Sequence, residues 1–459
     1  MLYKDYIVKD YKNVSDLVIK DVKKVTIVYL ETLSDQNKIN DYILKFASSH
    51  HFPKDIKSLI PSPNVKEINS YVDLQLFLET GFTIILTKNN AIAIETKANV
   101  SRSIEAPSTE PVLFGAKEAL NENFQTNLGL IKRRIKSNRL KNDITYIGKY
   151  SKTLVSTLYI DNIVEMELVE QVKEKLDNII IDGVNDVGEL KQFLCKEYKN
   201  VFPSFKLTER PDVIAKSLLA GKIVLLMDTS PYALIIPSFL VDFINPVSDD
   251  YNKSINVNFL KILRFFCFFL SIITPAFYIA IMTYNQETIP TNLLLNFQTQ
   301  REGVPFPSVV ECLITLITCE ILRESDLRFP SQYGSAISIL GALVLGEAAV
   351  NAGIVSPIMI IVVAVTFISS MIFTDLEVVN GIRYWRFIFL LFACIFGLYG
   401  VGLAFILFIA NISSYEVFNK PYLYPIAPFD LAYIKETIFK MRNTKRSKIL
   451  SKNKYKGEA

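Results

Sequence analysis

The sequence predicts an α/β cytoplasmic region of two subdomains followed by an all-α polytopic membrane domain. Three observations predict it. Half of the 459 residues are apolar and they are unevenly spread. Residues 1 to about 255 mix Lys, Asp and Glu with short apolar runs, a length and composition that suit one large or two small α/β units. From Phe259 to Ile412 long apolar runs dominate, and the basic block from Lys435 to Lys456 that follows them reads as a cytoplasmic flank.

In the first subdomain, expected over 1–110, KKVTIVYL (Lys23 to Leu30) reads as a buried strand. FTIILTKNNAIAIE (Phe82 to Glu95) reads as two strands joined at Asn89 and Asn90. Residues 111–142 are expected to form a helical connector, because Val112, Leu113, Leu120, Phe124, Leu128, Ile131 and Ile135 recur at mostly helical intervals, interrupted by Gly115. The second subdomain, 143–245, reads as the strand KTLVSTLYI, the helix IVEMELVEQVKEKLDN and the strands GKIVLLMD and ALIIPSF. A polar linker, 246–258, leads into a membrane domain over 259–412, and a basic tail occupies 413–459.

Five apolar segments fall in the membrane part: Ile262 to Tyr284, Val304 to Leu322, Ser335 to Asn351, Ser356 to Phe373 and Phe387 to Ile412. A span needs about 20 mainly apolar residues. If the N-terminal domain and the basic tail share the cytoplasmic side, complete crossings must be even in number, so one segment is expected to be re-entrant, broken or interfacial. The second and third are the expected ones, since both are short, the second holds Glu311 and Glu320, and the third is rich in small residues. Five crossings with an external tail is the alternative.

Composition excludes several functions. A net charge of +4 is too slight to imply a nucleic-acid partner. The five cysteines show no paired spacing, so neither a disulfide framework nor a zinc site is expected. His50 and His51 adjoin in a polar stretch and read as a surface pair. The opening MLYKDYIVKDYKNVSDLVIKD has no hydrophobic core of the secretory kind, which places the first domain in the cytoplasm. Phosphate-loop, HExxH and GxSxG signatures are missing, so no enzyme and no cofactor is expected. GLYGVG at Gly397 to Gly402 lies inside an apolar run, where its glycines read as packing residues.

Glu347 is the most informative residue, because a carboxyl at membrane depth is expensive and persists where it faces a cavity, a pore or a partner. Four residues on, Asn351 shares its helix face. Ser338, Gly341, Ala342, Leu345, Ala349 and Ala352 fall on the opposite side, a stripe of mostly small residues suited to close helix contact. Either desolvation keeps Glu347 protonated in a packed interface, or the residue lines an ion path, alone or in a ring repeated by oligomer symmetry. Glu311 and Glu320 are nine residues apart, on opposite sides of a straight helix, and so are expected to have different jobs as further pore or gate candidates. Arg323, Glu324, Asp326 and Arg328 read as an exposed ion-pair cluster. Lys132, Arg133, Arg134, Lys136 and Arg139 read as a solvated basic face or as a contact for a partner subunit or anionic lipid.

Several segments in one order resemble the A-subunit family of bacterial spore germination receptors, through most of the chain. In the soluble part the resemblance is carried by Arg102, Glu105, Pro107, Thr109, Glu110, Gly115, Asn127 and the run Leu130 to Ile135, with Arg133 and Arg134, then by ERPDVIAKSLLAGKIVLLMDTSPYALIIP and DDYN. In the membrane part it is carried by ETIPTNLL, VPFPSVVE and ILRESDLRFPSQYGSAISILGALVLGEAAVNAGIVSP, which includes Arg323, Glu324, Arg328 and Pro330. Many relatives carry Gln at the position of Glu347 and REAG where this chain reads RESD. The resemblance implies assembly with a transporter-like B subunit and a lipoprotein C subunit in the spore inner membrane. It also implies oligomerisation as a nutrient-gated channel for monovalent cations, with coupling or assembly roles for the motif residues. An amplifying channel of the same family, made during sporulation, resembles the pattern equally. A secondary-transporter subunit would show inverted repeats, and none is visible among the five segments. A purely structural scaffold would lose abundance on substitution of its polar membrane residues but never permeability.

Overall fold

The structure, a computed structural model, describes residues 3–429 apart from 13, 23–24, 46–64, 69, 88–89, 98–106, 108, 111–114, 195–200, 247–248, 250, 329–340 and 342–343. Among these residues the chain divides into two compact units, one of residues up to 194 with 204–238, the other of 201–203 with 239–429. Arg102, Glu105, Pro330, Ser338, Ala342, the histidine pair, Cys195 and the basic block lie outside the described residues.

The first unit opens with α1 (Lys4–Asp10), β1 (Leu17–Val22), β2 (Val25–Leu30), α2 (Gln36–Ile39, continued by a π turn at Asn40–Leu44), β3 (Val65–Glu67), α3 (Tyr71–Glu79), β4 (Phe82–Leu86) and β5 (Ala91–Glu95). Its antiparallel sheet has the order β1-β2-β4-β5-β3. All six residues of β2 are buried because both faces are covered. Val28 and Leu30 meet α1 and α3 through Ile7, Leu74 and Leu78, while Val25, Ile27 and Tyr29 meet Ile39 and Ile43 on the other side.

After α4 (Phe124–Arg134) come β6 (Leu140–Ile147), β7 (Thr153–Ile160), α5 (Met166–Asp177), α6 (Leu190–Leu194), β8 (Lys206–Thr208), α7 (Pro211–Leu219), β9 (Ile223–Met227) and β10 (Ala233–Ile236). Their sheet has the order β6-β7-β9-β10-β8, the first sheet's order with each strand replaced by its counterpart. The unit is thus a duplication of topology. The expected connector differs from the structure: among its described residues only Phe124–Arg134 is helical, residues 115–123 are not, and β6 begins at Leu140. Asn123 stops the helix from starting earlier, since its side chain caps the Thr126 N–H.

The second unit holds α8 (Leu240–Ile244), α9 (Ser254–Thr283), α10 (Thr291–Arg301), α11 (Ser308–Arg328), a π turn at Val344–Ala348 leading into α12 (Ala349–Asn351), α13 (Pro357–Ser370) and α14 (Leu376–Ser413). A small hairpin, β11 (Glu416–Val417) with β12 (Lys420–Pro421), follows. Two of these helices, α9 and α14, are long and apolar enough to cross a membrane, and α13 is a shorter apolar helix.

The last helix is not straight. Gly397 has φ 60° and ψ −140°, a conformation open to glycine, and a Cβ there would lie 2.8 Å from Cβ of Tyr284. Trp385 and Phe408 stack edge-on with centroids 5.0 Å apart, whereas a continuous helix would separate them by about 35 Å. Residues 376–396 and 398–413 therefore double back on each other, packing Trp385, Phe389 and Phe408 with Phe268 of α9. Of the two segments expected to be broken, the second forms an unbroken helix over Ser308–Arg328, most of the third lies outside the described residues, and the fifth is broken at Gly397. The glycine run that reads as packing material includes the hinge.

Candidate functional site

The second unit's polar chemistry centres on α11. Glu311 is fully buried, 0% exposed. Its Oε1 accepts from the backbone N–H of Ser356 at 2.6 Å and from the same residue's hydroxyl. Ser356 is the N-cap of α13, whose first helical residue is Pro357, so Glu311 places a carboxylate on the positive end of that helix. Arg301 Nε lies 3.8 Å from Glu311 Oε2, an ion pair beyond hydrogen-bond reach. Glu311 Oε2, Arg301 Nε and the hydroxyl of Tyr278 are buried without a hydrogen-bond partner among the described residues.

About two and a half turns along α11, Glu320 is ringed by arginines. Arg386 Nη1 donates to its Oε1 at 3.1 Å, Arg383 Nη2 lies 2.8 Å from its Oε2, and Arg323 Nη1 lies 3.8 Å away. The backbone prepares this cluster. Pro275 in α9 has no N–H, which frees the carbonyl four residues earlier, at Ser271. Arg386 Nε donates to that carbonyl at 2.8 Å. Arg323 in turn donates to Ser370 Oγ at 2.7 Å and lies over the Phe367 ring at 4.2 Å. Four helices, α9, α11, α13 and α14, thereby meet through one carboxylate and three guanidinium groups. The expectation of an exposed ion-pair cluster holds for Glu324 with Arg328, an exposed pair one turn apart, but Arg323 belongs to the interior group.

Glu347 lies in the π turn and Asn351 ends α12; both side chains are exposed on the chain, and Glu347 makes no ion pair among the described residues. Of the opposite stripe, Gly341 sits against α11, where a Cβ would come within 2.7 Å of Leu322 Cδ1. Ala349 packs against the cluster of Tyr278, Cys312 and Met359, whereas Ala352 is exposed.

In the first unit the motif residues join across the sequence. Glu209 Oε1 accepts from the Thr109 N–H at 2.6 Å, the Thr109 hydroxyl and the Glu110 N–H, while Glu110 accepts from Thr208. Burial pushes the Glu110 carboxyl up from its ordinary range, with Lys206 and the Thr208 hydroxyl opposing. Arg210 pairs with Asp212. Asn127 is buried and holds Asn121 through two bonds, Asn121 N–H to Oδ1 and Nδ2 to the Asn121 carbonyl. Pro107 is half-buried and Gly115 exposed. Arg133 and Arg134 are exposed, the latter paired with Glu118 at 2.6 Å.

Lys132 corrects the reading of a basic face. It is 3% exposed and pairs at 2.5 Å with Asp16, which also accepts from Thr32. Nearby, Tyr11 donates to Glu79 at 2.8 Å, and burial pushes the Glu79 carboxyl up against the pull of Lys132. A cleft of about 510 Å³ is lined by Lys9, Lys12, Arg139 and Lys141 against Asp10 and Asp161.

Sequence reasoning misses Arg383 and Arg386, which precede the last apolar run at Phe387, and also Arg301, Ser356, Ser271 and Tyr278. The signal was there: two arginines three apart inside NGIRYWRFIFLLF, and a proline inside the first long apolar run.

The chain is similar in sequence to known proteins. The family profile described as Bacillus/Clostridium GerA spore germination protein matches residues 5–450. Spore germination protein KA of Bacillus subtilis (strain 168) is 34% identical over 449 residues, covering 94% of this chain and 82% of that one. Spore germination protein GerLA of Bacillus cereus is 34% identical over 442 residues, covering 93% and 90%. Among solved structures, the N-terminal domain of the A subunit of the Bacillus megaterium spore germinant receptor GerK3 is 26% identical, covers 52% of this chain and 94% of its own, and has a TM-score of 0.38.

Proposed function

Since this chain belongs to the GerA family of spore germination proteins, matched from residue 5 to residue 450, we propose that it is the A subunit of a nutrient germinant receptor and that copies of it form a nutrient-gated cation channel. The channel stands in the spore inner membrane as a multi-pass protein with its N-terminal unit in the cytoplasm, beside a transporter-like B subunit and a lipoprotein C subunit. Its activity is non-enzymatic.

One observation carries the channel reading. Glu347 is a carboxylate in an apolar segment, exposed on the single chain and without an ion-pair partner among the described residues. Bare exposure to hydrocarbon is costly, so other copies or water must cover it. A ring of such groups attracts and passes cations. Asn351, on the same face, supplies a neutral oxygen beside it. Glu311 and Glu320 are engaged inside the chain and set the positions of α13 and α14 rather than lining the path.

The test is potassium release from spores lacking this gene, triggered separately by several nutrients. Loss for one nutrient class is the expected result. Slower release for every nutrient would assign the chain instead to amplification, and unchanged release would remove the receptor role.

A further inference from the structure

The arginine cluster around Glu320 carries more positive charge than the described residues neutralise. Three guanidinium groups, Arg323, Arg383 and Arg386, face a single carboxylate, a formal excess of two positive charges. Buried charge of one sign persists only with a counter-charge or hydrogen-bond partners. Here the partners run out. Arg386 is 1% exposed, yet among the described residues its Nη2 has no acceptor, and neither do Arg383 Nε or Arg323 Nη1. Arg383 Nη2 is close to Glu320 as a charge, at 2.8 Å, but Glu320 Oε2 accepts no hydrogen bond, so that oxygen does not saturate the cluster.

The surroundings indicate what kind of anion completes it. Arginine forks match the oxygens of a phosphate group, two donors to two acceptors. Three of the four helices also present exposed apolar side chains within about a turn of their polar group: Ile321 and Leu327 beside Arg323, Ile368 and Met371 beside Ser370, Tyr384 beside Arg383. Arg383 is itself 29% exposed and marks the open edge of the cluster. An anionic head at Arg383 and Arg386 with hydrocarbon lying over these apolar groups matches that pattern. We infer that the cluster of Arg323, Arg383 and Arg386 is a phosphate-binding site between α11, α13 and α14, occupied by the headgroup phosphate of an anionic phospholipid. The inference stands apart from the channel reading and needs only a lipid-exposed second unit.

The test uses the full chain in nanodiscs of mixed phosphatidylglycerol and phosphatidylcholine, with bound lipid counted by native mass spectrometry. Retention of phosphatidylglycerol over phosphatidylcholine is expected, falling by about tenfold in Arg383→Gln, the loss of one charge-assisted contact. Arg383 sits at the open edge, so its variant is the one that keeps the fold, and Arg386→Gln is the second. Glu320→Gln should retain the lipid at least as well as the native chain, an outcome that damage to the fold would not produce. Displacement of the lipid by millimolar inorganic phosphate would assign the same site to free phosphate as well as lipid. Equal retention of the two lipids, or phosphatidylglycerol retention unchanged in both arginine variants, would overturn the proposal.

Discussion

The two units bury charge in opposite ways. In the first, buried ions are matched: Lys132 with Asp16, Arg210 with Asp212, and Glu79 with the Tyr11 hydroxyl. Among the described residues its buried side-chain atoms without partners are only the hydroxyls of Ser34, Ser156 and Thr157. In the second, Arg301, Glu311, Glu320, Arg323, Arg383 and Arg386 each hold a buried charged-group atom with no hydrogen-bond partner among the described residues. Matched burial specifies a fold, whereas unmatched burial leaves chemistry for a ligand, an ion or water to complete. On this view the first unit's buried ions complete one another, whereas the second's leave donors and acceptors open.

The largest test of that contrast removes one half of a matched pair. Asp16→Ala strands Lys132 in the interior and should lower stability by about 3–5 kcal/mol, read by denaturant unfolding. The double change Asp16→Leu with Lys132→Met should recover most of that loss, because hydrophobic replacement of a buried pair is often neutral or better. A double variant as unstable as the single one would show that the pair does more than hold the fold.

Next in size is the hinge of α14. Gly397→Ala puts a side chain into a glycine conformation against Tyr284 and should cost about 1–3 kcal/mol, seen as reduced accumulation in the membrane. In the same region, Glu347→Ala should leave accumulation unchanged and cut cation flux by tenfold or more, on the order of the local ion enrichment that acidic lining supplies.

The smallest effect concerns pH. Burial raises the Glu79 carboxyl above its ordinary 4.5, so the folded state holds that proton more tightly than the unfolded chain. Stability contributed by this group is therefore greatest at low pH and is lost as pH rises from the ordinary value through the raised one. Hydrogen exchange of β4 amides should slow as pH falls across that window, after correction for intrinsic rates. Glu79→Gln should flatten the dependence, and an unchanged profile would place the titration elsewhere.

Periodicity and composition made much of this legible. Strands such as Val25–Leu30 and Ile223–Met227 are short apolar runs, and α5 follows the expected helix closely. What escaped depends on distance. Lys132 reads as one member of a basic face because its partner, Asp16, is 116 residues away and helical spacing cannot see it. Gly397 reads as packing material because a glycine that hinges and one that packs look alike in sequence. The Glu320 cluster escaped for a third reason: hydropathy marks where an apolar run begins, and Arg383 and Arg386 fall just before that line although they face inward. Glu347 was legible as a residue that needs an explanation, since its burden comes from composition alone.

The most direct measurement is nutrient-triggered cation release, set against membrane abundance, from spores carrying either Glu347→Ala or the double change at Asp16 and Lys132. The account predicts that Glu347→Ala loses release at normal abundance while the double variant releases normally. Normal release from Glu347→Ala would contradict it.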